Sequence, residues 1–276
     1  MDRRKNRHQT STNIFRLAAW SAVLISLVMT GVMTGCGSGR DAGTGIFGRS
    51  GQLADSMEVI VTHADIGGLP LEIEFRRGRA HNHPLMAIWA EDMDGNYLKT
   101  LYVALSIAEG VYRHGDASTG RWMPGPVRRP AALPYWGHQR GIQAPDGYFL
   151  PTREEPLPDA MTGPTPKTHF LLKSRLPESV PGKFRVLLEI NQSWDWNRYW
   201  TNDKFPGDLH YMSSSQPAVV YEAVIDTQGE RTAFPMKAVG HSHWSGATGE
   251  LFPDLSTLTT ALEIAETVVV RLPSLP

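Results

Sequence analysis

Between Leu69 and Phe75 apolar and charged side chains alternate one by one. Leu71, Ile73 and Phe75 fall on one side and Glu72 and Glu74 on the other. A period of two marks a strand with one buried and one wet face, so this stretch is committed to a sheet. The same pattern recurs along the chain. Met57–Thr62 is β-branched and roughly alternating, and Leu85–Ala90 is a short apolar run. Asp94-Gly95 then precedes a further run, Tyr97–Val103, and Asp-Gly between two apolar runs is a strong hairpin signal. Strands are also expected at Thr168–Leu172, Phe184–Ile190, Ala218–Ile225, Arg231–Val239 and Leu262–Leu272. No long amphipathic helix interrupts them, and the expected fold is an all-β antiparallel sandwich.

Residues 113–167 break the pattern. They are rich in Pro and Gly, have no sustained period, and carry Trp122, Tyr135, Trp136 and His138. A connection of this length is unusual inside a compact domain, so it is expected to be a loop layer or to contain short helices. The chain of 276 residues is 41% hydrophobic, enough for a packed core. Its 26 Gly and 20 Pro are spread without a repeat, which excludes collagen and a low-complexity chain and argues against an all-helical protein. One Cys excludes a disulfide framework, a Cys-rich zinc site and an iron–sulfur cluster.

The N-terminal segment reads as an address. Arg3, Arg4, Lys5, Arg7 and Arg16 precede an uncharged run, Leu17–Gly35, which is the pattern of a secretory signal. The run ends in Met33-Thr34-Gly35-Cys36, with the only Cys of the chain after small residues. This resembles a bacterial lipobox, with Met33 where Leu is more usual. The resemblance implies a signal peptide of residues 1–35, cleavage before Cys36 and lipidation there. An uncleaved membrane anchor is the alternative. Residues 36–56 then form a Gly- and Ser-rich tether, and residues 57–276 one sandwich domain.

The leader holds five of the 27 Lys and Arg and one of the 28 Asp and Glu, leaving 22 basic against 27 acidic side chains. An acidic body without a basic stripe is a poor partner for nucleic acid. No acidic residue follows Cys36 directly, so nothing marks retention at an inner membrane. In an envelope of two membranes this favours an outer-membrane anchor facing the periplasm.

The hairpin Ile88-Trp89-Ala90-Glu91-Asp92-Met93-Asp94-Gly95-Asn96-Tyr97-Leu98-Lys99-Thr100-Leu101 resembles the signature hairpin of domain of unknown function 2271, a family of predicted periplasmic proteins. Asp159–Lys167, Glu189-Ile190-Asn191, and Gln216-Pro217 with Tyr221-Glu222 resemble other parts of that family. The resemblance covers most of residues 57–272. It implies an immunoglobulin-like sandwich in the periplasm and no established activity. Its contextual hint is a neighbouring flavin-based membrane redox system.

Three constellations bear on function. Asp159-Ala160-Met161-Thr162-Gly163-Pro164-Thr165 resembles the acceptor motif of periplasmic flavin transferases, which would join FMN to Thr165. Pro164 stands where that motif has Ala and stiffens the loop, so the expectation is a protein without covalent flavin. Ser245-Gly246-Ala247-Thr248 has the core letters but Ser242 where the Asp belongs.

His81-Asn82-His83 and His241-Ser242-His243 form two His-x-His pairs. In a strand each pair would aim two imidazoles at one ion, and two pairs meeting would suit zinc or copper, as a metal-binding protein or metal-dependent enzyme. His114, His138, His169 and His210 are further candidates, and loop histidines without a ligand are the plain alternative.

Trp194-Asp195-Trp196-Asn197-Arg198-Tyr199-Trp200, with Phe205 and Tyr211 beyond, is dense in aromatics. Strand spacing puts Trp194 and Trp196 on one face and Asp195 and Asn197 on the other. Such a run is a core plug over the end of the sandwich, or a platform for stacking sugars or a partner. Gly240-His241-Ser242-His243-Trp244 lacks the second Gly of a nucleophile elbow, and Asp92–Asn96 is a turn rather than a calcium loop. No catalytic constellation emerges, and the expected role is a lipid-anchored binding or accessory protein with an envelope partner.

Overall fold

The computed structural model describes residues 56–157, 162–163 and 165–273, all within one compact unit. Thirteen strands follow in order: β1 (Met57–Val61), β2 (Leu69–Arg77), β3 (Leu85–Glu91), β4 (Tyr97–Ala104), β5 (Val111–Asp116), β6 (Met123–Pro126), β7 (Thr162–Gly163), β8 (His169–Leu176), β9 (Lys183–Asn191), β10 (Val219–Asp226), β11 (Ala233–Pro235), β12 (Lys237–His241) and β13 (Ala265–Arg271). Among the described residues three short α-helices join them: α1 (Leu105–Glu109), α2 (Pro134–Arg140) and α3 (Leu209–Ser214). None of the described helices is long and apolar enough to cross a membrane.

The strands form a five-stranded sheet, β1-β8-β2-β13-β11, and a six-stranded sheet, β12-β10-β9-β3-β4-β7, with β5 and β6 a separate ribbon. The two sheets pack as a sandwich. Pairing is antiparallel except at one edge of each sheet, where β1 runs parallel to β8 and β7 parallel to β4. Leu71, Ile73 and Phe75 of β2 are buried, as their alternation requires, and meet Met86, Ile88 and Ala90 of β3 and Val186, Leu188 and Ile190 of β9. The expected strand at Arg231–Val239 is two strands that pair in different sheets, with Met236 at the corner.

Strand β3 is buried at every position, so its uninterrupted apolar run reflects two covered faces. Its second face, Leu85, Ala87 and Trp89, packs with Leu187 of β9 beneath Ala132, Leu133, Tyr135, Trp136 and Leu150. Residues 113–167 therefore hold strands and a helix as well as loops, and part of them forms a third layer over the six-stranded sheet.

Helix α2 is placed by its ends. Pro134 opens it with a φ already suited to a helix, and Gly141 closes it at φ 72°. No local side chain caps its first turn. Instead Glu189, on β9, accepts the Tyr135 N–H at 3.2 Å and the Trp136 N–H at 2.7 Å. Burial of Glu189 pushes its pKa up to about 8, against the pull of these two donors and the Ser242 hydroxyl.

The β3–β4 turn is built on Asp92. Its Oδ1 accepts the backbone N–H groups of Asp94 and Asn96, and its Oδ2 accepts the Asn96 amide at 2.7 Å. Gly95 takes φ 88°, the left-handed conformation that Gly adopts without cost. These bonds hold the Asp92 carboxyl below its usual range.

Candidate functional site

The segment from Trp194 to Trp200 is a loop between β9 and α3. Trp194 has φ 63°, so the segment does not start as a strand. Trp194 and Trp196 nevertheless share one side and Asp195 and Asn197 the other, and it is the Trp side that faces solvent. Trp194 and Trp196 stand out into solvent, edge to face at 5.7 Å, and Tyr199 is 52% exposed. Of the four aromatics only Trp200 is buried and fits the core plug, its Nε1 donating to Thr257 Oγ1 at 3.1 Å.

Asp195 and Asn197 turn inward and hold the loop. Asn197 Oδ1 accepts the N–H groups of Tyr199 and Trp200 at 2.8 and 2.7 Å. Its Nδ2 donates to Gln216 Oε1 and the Thr257 carbonyl. Asp195 Oδ1 accepts the Thr260 hydroxyl at 2.5 Å, and burial raises the Asp195 pKa. The loop and the 3₁₀ turn at Thr260–Glu263 are thus locked through two polar side chains, which fixes where Tyr199 and Trp200 sit.

Beside this loop lies a groove of ≈ 420 Å³, within the range of about 300–1,000 Å³ typical of small-molecule sites. Its walls include Tyr199, Trp200, Phe205, Trp244 and Phe252, with Lys204, His241, His243, Asp254 and Thr257 as polar members. Phe205 and Trp244 stack at 3.6 Å with 4° between their planes, and His241 stacks on Phe252 at 5.4 Å. Lys204 Nζ lies 3.5 Å from the Tyr199 ring centre and donates to the Tyr199 carbonyl at 3.2 Å.

Gly240 lets this wall close. A β-carbon there would sit 2.7 Å from the Phe252 carbonyl oxygen, and the bare backbone allows the paired His241–Phe252 hydrogen bonds, both 2.8 Å.

The two imidazoles of the groove differ. His241 Nδ1–H donates to the Ser242 carbonyl at 2.8 Å, leaving Nε2 as the acceptor of the neutral ring. His243 Nδ1 accepts the Ser245 N–H at 3.2 Å, so its proton is on Nε2 and that nitrogen is a donor. Burial lowers the His243 pKa, which keeps this ring neutral near pH 7.

The second His-x-His segment behaves differently. His81 and His83 lie in a bend between β2 and β3, not in a strand, and His83 has φ 53°. His81 packs edge-on to Phe75 at 5.9 Å, and burial lowers its pKa to about 4. The two pairs do not assemble: among the described residues no group of three or more His, Cys, Asp or Glu is placed to hold a metal ion.

His114 is exposed on β5, and His169 Nδ1 accepts the Arg77 N–H at 3.0 Å. His138 bonds the Pro134 carbonyl within α2, and His210 pairs with the Tyr148 hydroxyl at 3.0 Å. Thr165 is half-buried beside buried Pro166, while Asp159, Met161 and Pro164 of the same motif lie outside the described residues, as does Cys36. Thr248 donates to Glu250 at 3.3 Å.

The segments that carry the family resemblance form internal polar ties. Asn191 donates to the Ser214 and Gln216 carbonyls. Arg185 bridges Glu91 at 2.7 Å and Glu222 at 3.1 Å. Lys204, Phe252 and Asp254 were missed by sequence reasoning, since a single Lys, Phe or Asp in a loop carries no periodic or motif signal. Trp244 had one, its place beside a His pair. No family model, curated protein or solved structure matches the chain.

Proposed function

We propose that the protein is a binding module of the bacterial cell envelope, exported, lipidated at Cys36 and facing the periplasm. Its ligand surface on this reading is the aromatic groove. One observation carries it: half-exposed rings from three separate segments, around Tyr199, Trp244 and Phe252, converge on one concavity edged by polar groups. Aromatic faces with a few polar groups around them are what a ring-shaped polyhydroxylated ligand needs, because its C–H face stacks and its hydroxyls bond. The Tyr199–Trp200 half of the groove is held by Asn197 and Asp195, so little order has to be created on binding.

The lipobox-like Met33–Cys36 supports the envelope address. The hairpin at Ile88–Leu101 supports kinship with the domain of unknown function 2271 family, and with it an immunoglobulin-like topology and a setting near a flavin-based redox system. Both are proposals that rest on sequence. Titrating neutral and acidic oligosaccharides against tryptophan fluorescence tests the site. Saturable quenching that Tyr199→Ala abolishes supports the reading, and quenching unchanged in Tyr199→Ala refutes it. For the address, Cys36→Ser should accumulate as a precursor with its leader attached. Normal processing and membrane fractionation of that variant would overturn lipidation.

A further inference from the structure

Lys204 stands out among the groove residues. Its ammonium lies on the Tyr199 ring, 5.1 Å from the Trp200 ring centre and 6.0 Å from that of Phe205. Among the described residues no carboxylate lies within ion-pair distance of it. An ammonium has three N–H donors, and the described structure uses one, on the Tyr199 carbonyl. The side chain is half-buried, and a cation set among rings without a counter-ion is partly desolvated and unneutralised. Its surroundings suit an anionic ligand group.

The remaining polar groups describe the rest of the ligand. His243 Nε2–H is a second donor. Thr257 Oγ1 accepts from the Trp200 indole, which leaves its own O–H to donate. His241 Nε2 and the Asp254 carboxylate are acceptors, and Asp254 spends one oxygen on the Ser256 N–H at 2.9 Å. Donors and acceptors in one small groove match hydroxyl groups, which are both. Asp254, the groove's own anion, stands exposed on the loop after Phe252, whereas Lys204 packs on the rings of the Tyr199–Phe205 segment.

We infer that the groove binds an acidic saccharide, a sugar ring carrying a carboxylate, and that Lys204 selects the acid. The inference rests on the groove being the ligand surface. Stacking would come from Tyr199, Phe205 and Trp244, hydroxyl recognition from His241, His243, Asp254 and Thr257, and charge recognition from Lys204.

The test uses short oligomers of galacturonate, glucuronate and mannuronate, each beside its methyl ester, which keeps the ring and removes the charge. Binding is read by tryptophan fluorescence and calorimetry on the mature chain, with a thermal melt to show that each variant is folded. At least one acid should bind with its ester weaker by about tenfold or more, as expected when a charge-assisted contact is lost. Lys204→Met should bring acid and ester together, and Lys204→Arg should keep them apart. Tyr199→Ala should weaken both forms alike. Equal binding of acid and ester to the wild type would overturn the inference and leave the groove reading standing. Binding untouched by Tyr199→Ala would remove the groove reading itself. Failure of all three acids at millimolar concentration, or capture of an Asp-rich peptide in their place, would also overturn it.

Discussion

The two faces of the six-stranded sheet are built by different means. The face toward the five-stranded sheet is apolar at alternate positions, Met86, Ile88 and Ala90 on β3 and Val186, Leu188 and Ile190 on β9. The opposite face uses the intervening residues of the same strands, and these include Glu91, Arg185 and Glu189. Greasy alternation suffices where a sheet meets a sheet, because register and twist already limit how they pack. An aperiodic segment has no such constraint. It is positioned by directional contacts, Glu189 on the first turn of α2 and Trp136 Nε1 on Thr100 Oγ1 at 2.9 Å. Polar specification of the outer layer and apolar specification of the inner one is a comparison that mutation can break.

The sharpest test sets Trp136→Ala against Phe170→Ala, each side chain fully buried on its own face. Both should cost about 3–5 kcal/mol in urea unfolding. A Trp136→Ala loss below about 1 kcal/mol would show the outer layer to be a covering and not a second core.

Glu189 comes next. Burial holds its pKa near 8, above the ordinary carboxylate value of 4.5, so the fold favours the protonated form. Its contribution to stability is therefore complete below pH 4.5 and is lost as pH rises to about 8. Wild-type stability should fall between pH 5 and 8.5 more steeply than that of Glu189→Gln, in paired urea titrations. Equal slopes would mean that the α2 donors, not burial, dominate this carboxyl.

His81, beside Phe75 at the margin of the inner core, gives the opposite sign and a smaller effect. Its pKa is lowered to about 4, so its contribution is present above pH 6.5 and disappears as pH falls through 4. His81→Leu should flatten that acid limb. Smallest of all, Trp194→Ser and Trp196→Ser should change stability by less than about 0.5 kcal/mol, since both side chains are exposed. A larger loss would make that pair part of the core.

The same division explains what the sequence made legible. Strands β2, β3, β8, β9, β10 and β13 announce themselves by period and by apolar runs, and the Asp92–Asn96 turn by its residues. The outer layer could not be read, because α2 has seven residues and its cap comes from a strand far along the chain. For the groove, strand spacing paired Trp194 with Trp196 and Asp195 with Asn197, as the structure has them. It could not say which pair faces inward, because that depends on the partners Thr260, Gln216 and Thr257 far along the chain. The ring-bearing residues were visible in composition, but their convergence with Trp244 and Phe252 depends on loops that no local pattern fixes.

Sheet order also dictates when the fold can close. Strand β2 is hydrogen-bonded to β8 and β13, so its neighbours arrive about 100 and 190 residues later in the chain. Strands β3 and β4 are joined by a five-residue turn and can pair at once. A chain that emerges N-terminus first therefore leaves β2 without a strand partner until β8 is out, and with one open edge until β13 follows. Loop-closure entropy must be overcome before those contacts return any energy, which makes folding slow and the early intermediate sticky. The hairpin at Leu85–Ala104, whose strands are neighbours in sequence, is the natural nucleus, and the two edges of β2 are sealed only afterwards.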